Sequence, residues 1–279
     1  MNDEYRLLDS GGLRKLEQVG PYRLVRPSLN AFWRPALDEK EWLAADAELE
    51  RDAKGNGHWH FRRELPQSWT IRYAGFNLLV KPTAFGHLGF FAEQHSNWSW
   101  FEHVGNICAL NLFAYSGVGS LALARGGARV THLDAAQGMV DWGRENLKIN
   151  PEIPDRIRWI VDDVTAFCRR EVRRGNRYNL IALDPPSFGR GNKGQVWKIE
   201  DDLIKLLELC LELAEPEKPL KIVLSAHSPG FSALVMRNML ADVFGSGEFA
   251  GTEMTVTDST GRENPSGVCV CYSTERFKI

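Results

Sequence analysis

The chain has 279 residues, 43% hydrophobic and 25% charged, which suits an ordered protein with one large α/β domain and a smaller companion. A formal net charge of −2 excludes holding nucleic acid through a strongly basic overall field, though not through a local basic patch. Five cysteines without a C-x-x-C pair argue against a disulfide scaffold or thiolate zinc site, and the acidic, polar start and lack of a long apolar run predict a cytoplasmic protein with neither signal peptide nor membrane span.

The texture changes near residue 105, which predicts a small β-rich domain over 1–104 and a larger domain over 105–279. In the first, an acidic stretch over 41–54 containing Trp42, Leu43 and Leu49 predicts an exposed helix. The run 58–62 then reads as a strand. Segments 69–73 and 76–80 read as two more, joined by the tight turn Ala74-Gly75. Beyond residue 105, apolar runs at 108–113, 129–133, 157–161, 179–183 and 220–225 alternate with helical patterns such as 139–149 and 203–213. Such alternation predicts βαβ units and a parallel sheet. Two consecutive strand patterns, 248–256 and 267–273, are separated by Asp258-Ser259-Thr260-Gly261, with Asn264-Pro265 further on. They predict a C-terminal hairpin whose last strand runs antiparallel.

Open α/β sheets bind ligands beyond the carboxyl ends of their strands, so four loops carry the candidate chemistry. The first runs from Asn111 through Phe113, Tyr115 and Ser116 to Gly117-Val118-Gly119-Ser120. Its glycines allow close backbone approach, and a helix N-terminus follows. Gly117-x-Gly119-x-x-Ala122 also satisfies a relaxed dinucleotide fingerprint, so a nicotinamide-dependent dehydrogenase stands as an alternative. Asp134 ends the second strand, placed to grip ribose hydroxyls, and Asp162-Asp163-Val164 ends the third, suited to an adenine edge. The fourth ends in Asp184-Pro185-Pro186-Ser187-Phe188. Two prolines make a rigid turn, Asp184 and the Pro185 carbonyl can accept hydrogen bonds from a planar nitrogen-bearing group, and Phe188 offers a stacking face. Such a turn suits methyl transfer from S-adenosylmethionine to a base, a reaction whose main demand is alignment.

With these residues the segment 110–273 resembles a class I S-adenosylmethionine-dependent methyltransferase. More narrowly it is similar to the bacterial family that methylates cytosine-C5 or guanine-N7 of 23S ribosomal RNA. An earlier segment, Gly86-His87-Leu88-Gly89-Phe90-Phe91-Ala92-Glu93-Gln94, resembles the piece that in this family folds over the cofactor. The resemblance implies a Rossmann-like sheet with an antiparallel C-terminal strand and S-adenosyl-L-methionine as cofactor. It implies that Phe91 and Gln94 line the methionine end, with Asn111, Phe113, Tyr115, Ser116, Gly117 and Gly119 around the cofactor. Asp134, Asp163, Val164 and Asp184 complete that set, and Asp184, Pro185, Pro186 and Phe188 carry transfer.

Two departures narrow the chemistry. The family's first loop begins with aspartate, where this chain has Asn111. The cytosine-C5 branch has a nucleophilic cysteine after the fifth strand, where this chain reads Leu224-Ser225-Ala226-His227-Ser228-Pro229. A nitrogen acceptor of an RNA base needs no covalent catalyst, so the expectation is RNA N-methylation, with ribosomal RNA the first candidate substrate. His227 is either a residue orienting the substrate or a solvent-exposed loop histidine. Arg190 and Lys193 with Ser187 are the expected substrate contacts, in a glycine-rich, mobile loop that also carries Trp197 and Lys198. A second cationic cluster, Arg14, Lys15, Arg23, Arg26 and Arg34, interleaves with Tyr22, Phe32 and Trp33. Neither a metal nor a membrane partner is expected. Alternatives are a methyltransferase acting on protein or a small molecule, the dehydrogenase, and a cofactor-binding RNA or ribosome-assembly factor without turnover.

Overall fold

Alternating short strands and tight turns build the first of two units in the computed structural model, which describes residues 3–52, 57–191 and 194–276. This unit comprises Met1–His95 and Thr255–Ser266. Its five-stranded sheet has the order β1 (Tyr5–Gly11), β2 (Arg14–Val19), β3 (Tyr22–Pro27), β4 (Ala47–Arg51) and β5 (Gly57–Phe61). All neighbours pair antiparallel except β3 and β4, which are parallel and connected through the short helix α1 (Glu39–Leu43). A separate hairpin pairs β6 (Trp69–Tyr73) with β7 (Phe76–Val80). Its turn residues Ala74 and Gly75 both have positive φ, as a two-residue turn with the right twist requires.

The acidic stretch departs from the helix predicted over 41–54. The helix ends at Leu43, and from Ala47 the burial alternates, with Ala47 and Leu49 inside. That period of two selects strand β4. Strands β1 to β3 have no counterpart among the predicted elements because their buried positions include charged residues. Asp9 and Glu17 are both fully buried. The Asp9 carboxylate accepts hydrogen bonds from the Ala36 and Leu37 amides and the Trp42 indole. Glu17 accepts from Arg26 at 2.6 and 2.7 Å and from the Tyr5 hydroxyl at 2.9 Å. The N-terminal cations are thereby committed: Arg14 pairs with Glu48, Lys15 and Arg26 with Glu17, and Arg23 with Glu41. Four of the five cations of that N-terminal cluster are thus held in ion pairs within the chain, Lys15 and Arg26 at the buried Glu17 and Arg14 and Arg23 nearer the surface.

The second unit comprises Ser96–Met254 and Gly267–Ile279. Its seven-stranded sheet uses β8 (Cys108–Leu112), β9 (Arg129–Asp134), β10 (Ile157–Val161), β11 (Leu180–Leu183), β14 (Lys221–Ala226), β15 (Glu248–Thr257) and β16 (Glu263–Ser273). The spatial order is β10-β9-β8-β11-β14-β16-β15, with five parallel strands and β16 antiparallel to β14. The sequence therefore predicts both the parallel sheet and its antiparallel end. Asn264 and Pro265, read as part of a turn, instead belong to β16. The helices are α2 (His95–Phe101), α3 (Val118–Arg125), α4 (Gln137–Lys148), α5 (Val164–Arg174), α6 (Ile199–Glu212) and α7 (Ala233–Phe244). Phe167 of α5, Leu206 of α6 and Met236 of α7 join Leu110, Ile181, Ile222 and Tyr272 of the strands in one buried core. That core fixes the strand ends from which the loops project. No helix among the described residues is long and apolar enough to cross a membrane.

Candidate functional site

At the carboxyl end of β8 the backbone leaves ordinary conformational space. Phe113 and Tyr115 have φ of 55° and 50°, and Gly117 follows at 86° as the residue preceding α3. Left-handed backbone at bulky residues costs of order 1–3 kcal/mol each and persists where the surroundings over-determine it. Here the surroundings are visible. The Ala114 amide donates to the Leu133 carbonyl, the Tyr115 amide to Asp134 Oδ2 at 2.9 Å, and Asn146 Nδ2 to the Ser116 carbonyl at 2.9 Å. Neighbouring β9 and helix α4 thus hold the loop from two sides.

Glycines set its closeness. A Cβ on Gly117 would lie 3.2 Å from Gly143 Cα, and one on Gly119 would lie 3.3 Å from Asn111 Nδ2. Gly119 therefore serves helix-to-strand packing. Asn111 is buried and donates to Ser120 Oγ, which contacts His132 Nδ1 at 3.0 Å. Burial pushes the His132 imidazole down to about 3, with the charge of Arg144 adding to the effect. The polar chain under the loop is accordingly neutral, a setting in which asparagine suffices where a carboxylate would add an uncompensated charge.

Asp134 closes the second strand. Its Oδ2 takes the Tyr115 amide and its Oδ1 the Ala136 amide. Burial raises its pKa, opposed by backbone donors at Ala136, Tyr115 and Ala135. A carboxylate offers about four acceptor positions, so capacity for ligand hydroxyls remains. At the third strand end, Asp163 caps α5 by accepting from the Ala166 amide at 2.8 Å. Val164 begins that helix and is buried in the main core.

The fourth strand end is the most built. Pro185 is buried, while Pro186, Ser187 and Phe188 are exposed. The Pro186 carbonyl is taken by the Trp197 indole at 2.8 Å, and Ser187 Oγ meets Ser228 Oγ at 2.6 Å. Among the described residues no donor reaches the Pro185 carbonyl. The loop predicted to be mobile instead begins as a hairpin of β12 (Phe188–Arg190) and β13 (Val196–Lys198). Trp197 packs against Phe113 with ring centroids 5.0 Å apart, which ties this hairpin to the strained first loop. Arg190 lies over the Phe188 ring at 5.7 Å. Lys193 falls outside the described residues.

His227 follows β14, the strand beside β11, and its Nε2 stands 3.4 Å from Asp184 Oδ1. A Cβ on Gly267 would come within 2.8 Å of His227 Nδ1, so the glycine clears the space behind the ring. The pairing of Asp184 with His227 and of Ser187 with Ser228 was beyond sequence reasoning, because register, not spacing, brings them together. The strand-end set Asn111, Gly117, Asp134, Asp163 and Asp184 shares one sheet edge. Phe91 and Gln94 belong to the first unit, where Phe91 precedes a 3₁₀ turn and Gln94 is buried. Among the described residues no cluster of three or more histidine, cysteine or acidic side chains is placed to hold a metal.

Comparison with known proteins adds independent findings. The family described as S-adenosylmethionine-dependent methyltransferase matches residues 53–233. The crystal structure of a SAM-dependent methyltransferase from Agrobacterium tumefaciens is 35% identical, with a TM-score of 0.91, over 98% of this chain and 91% of that one. Among curated relatives, the ribosomal RNA large subunit methyltransferase K/L of Stutzerimonas stutzeri is 38% identical over 168 residues, 58% of this chain and 23% of that protein. The same-named protein of Pseudomonas paraeruginosa is 35% identical over 109 residues, 38% of this chain and 14% of that protein. This chain thus spans less than a quarter of the length of these curated relatives.

Proposed function

Since the chain belongs to the family of S-adenosylmethionine-dependent methyltransferases, we propose that it methylates a ring nitrogen or exocyclic amine of an RNA base, with ribosomal RNA the first substrate to test. Its methyl donor is S-adenosyl-L-methionine, whose sulfonium supplies an already activated methyl group. The similarity to large-subunit ribosomal RNA methyltransferases supports the choice of RNA. What carries the choice of a planar nitrogen acceptor is the Asp184-Pro185-Pro186 turn, where a carboxylate and the Pro185 carbonyl are held rigidly beside an exposed aromatic face.

In this reading Phe91 and Gln94 line the methionine end, as the family resemblance implies. The Asn111–Gly119 loop would cradle the cofactor: the turns at Phe113, Tyr115, Ser116 and Gly117 redirect backbone donors, and no Cβ obstructs Gly117. The carboxylate of Asp134 would take ribose hydroxyls with its remaining lone pairs, and Asp163 with the Val164 amide would meet the adenine edge. Asp184 and the Pro185 carbonyl would accept hydrogen bonds from the acceptor's N–H groups. That aims the nitrogen lone pair at the methyl group while Phe188 stacks on the base. Ser187, Arg190 and Lys193 would hold the flanking nucleotides.

A cytosine-C5 reaction needs a thiolate, and the chain offers none here. Ala226 is the last residue of β14, and no cysteine follows it before Pro229. Cys269, which feels the Asp184 charge, is buried, and its hydrogen bond with Cys271 and its burial push the thiol well above the usual range. The test is incorporation of labelled methyl into unmodified ribosomal RNA, transfer RNA, protein and small-molecule extracts, with Asp184→Ala alongside. Label in RNA that the variant abolishes supports the proposal. Label confined to protein or small molecules refutes the RNA substrate, and cofactor binding without label anywhere favours a non-catalytic role.

A further inference from the structure

The edge of the parallel sheet opposite the strand-end loops carries a second concentration of chemistry. There, an open cavity of about 600 Å³ is lined by the first residues of three strands, Cys108, Arg129 and Ile157, and by the segment entering β11. Arg129, Arg156, Arg158 and Arg177 line it against a single carboxylate, Asp155. In a chain with net charge −2 this is a local exception.

The four arginines are not equivalent. Arg158 is committed to the fully buried Glu171 at 3.1 Å, and that carboxylate also takes the Tyr178 hydroxyl and Asn176 Nδ2. This arrangement stiffens one wall. The other three meet neutral groups: Arg129 the Cys108 sulfur, Arg156 the Gly127 carbonyl and Arg177 the Asn176 carbonyl. Among the described residues none of those three has a carboxylate partner. The contrast with Arg14, Arg23 and Arg26, each paired with a glutamate, is direct. Three guanidinium groups around one concavity, each with most of its donors unused, match the bidentate geometry of phosphate oxygens.

We propose that this amino-edge cleft is a phosphate-binding site that grips the backbone of the RNA substrate away from the reacting base. It rests on the RNA reading above. The five-residue strand β8 places the two sheet edges roughly 16 Å apart at about 3.3 Å per residue. Only a polymeric substrate reaches both edges. A mononucleotide or small metabolite would engage one.

The test compares the full chain with the triple variant Arg129→Gln, Arg156→Gln, Arg177→Gln. Readouts are affinity for unmodified large-subunit ribosomal RNA over a salt series, methyl transfer into that RNA, and affinity for S-adenosylhomocysteine. Loss of three phosphate contacts should weaken RNA binding by about tenfold or more and lower the salt slope by about two. The KM for RNA should rise while kcat and S-adenosylhomocysteine affinity stay the same. Lysine at the three positions should restore the salt slope and part of the binding, since it returns the charge without the bidentate fork. Should the triple variant fail to fold, single changes at exposed Arg129 and Arg156 should each lower the slope by about 0.7. Unchanged affinity and slope in a variant that still methylates RNA would overturn the cleft and leave the RNA reading standing. A wild-type chain that neither binds nor methylates RNA would overturn both.

Discussion

His227 Nε2 lies 3.4 Å from the Asp184 carboxylate, although the two residues end different strands. Strand β14 pairs with β11 in parallel, with Leu183 beside Leu224, so the loops after both strands emerge at the same edge. Gly267 leaves the ring room, and Ser187 and Ser228 join the same loops a second time. If Asp184 must face an acceptor nitrogen, His227 serves by holding the carboxylate in one orientation. His227→Ala should then lower kcat by about 10- to 100-fold, the scale on which misplacement of a reacting group is felt. S-adenosylhomocysteine affinity should remain within a factor of two or so, because in this reading His227 acts through the Asp184 carboxylate on the acceptor. Calorimetry beside steady-state transfer separates the two effects. Equal loss of both would reduce His227 to a structural role.

Asp134 makes the sharper prediction for the cofactor. It satisfies two backbone amides, those of Tyr115 and Ala136, and one of them belongs to the left-handed turn. Asp134→Ala removes the acceptors and leaves the part-buried Tyr115 amide without its partner, at about 1–3 kcal/mol, while the exposed Ala136 amide can turn to water. Affinity for S-adenosylhomocysteine should fall by at least 100-fold. Asp134→Asn keeps one oxygen and should lose less. A variant that binds as well as the wild type would remove Asp134 from the cofactor site.

Gly117 tests whether the first loop is shaped for binding or merely for packing. At φ of 86°, alanine there is strained, and its Cβ would press on Gly143 at 3.2 Å and on Trp159 at 3.4 Å. The expected cost is of order 1–3 kcal/mol for the backbone alone. If the loop cradles the cofactor, Gly117→Ala should reduce affinity by more than its fall in stability explains. S-adenosylhomocysteine should then raise the variant's melting temperature much less than it raises that of the wild type. An undiminished ligand-induced shift would assign the glycine to packing only.

The larger unit was legible in the sequence because strand and helix signals there agree. The run 157–161 coincides with β10, and 69–73 and 76–80 coincide with the hairpin β6–β7 of the other unit. Apolar alternation and turn residues point the same way in each. Strands β1 to β3 were not legible, since Glu17 and Asp9 sit at buried positions and break the apolar pattern. Only the partners, Arg26 for one and the Ala36 and Leu37 amides for the other, make such burial tolerable, and these are distant in sequence. The strand-end residues of the site could be named in advance because topology places them. Their couplings could not. Left-handed Phe113 and Tyr115 carry no composition signal at all, since neither is a residue type that favours such backbone.

Glu17 turns the buried pair of the first unit into a pH prediction. Burial would raise its pKa, but the charges of Arg26 and Lys15, with hydrogen bonds from Arg26 and Tyr5, hold it down to about 2 from 4.5. A depressed carboxylate stabilises the folded state fully above its unfolded pKa, and that stabilisation is lost as pH falls through the folded value. The window is therefore pH 4.5 down to about 2, and the contribution near neutrality is about 3 kcal/mol. Glu17→Gln deletes this dependence but also leaves the buried Arg26 guanidinium without its partner, a penalty of about 3–5 kcal/mol for breaking a buried pair. Thermal unfolding across pH 2–7 should show the variant less stable near neutrality and flatter below pH 4.5. The double change Glu17→Gln, Arg26→Met should recover part of the neutral-pH loss and keep the flat acid limb. An unaltered acid limb in the single variant would show that other carboxylates, not Glu17, govern acid unfolding.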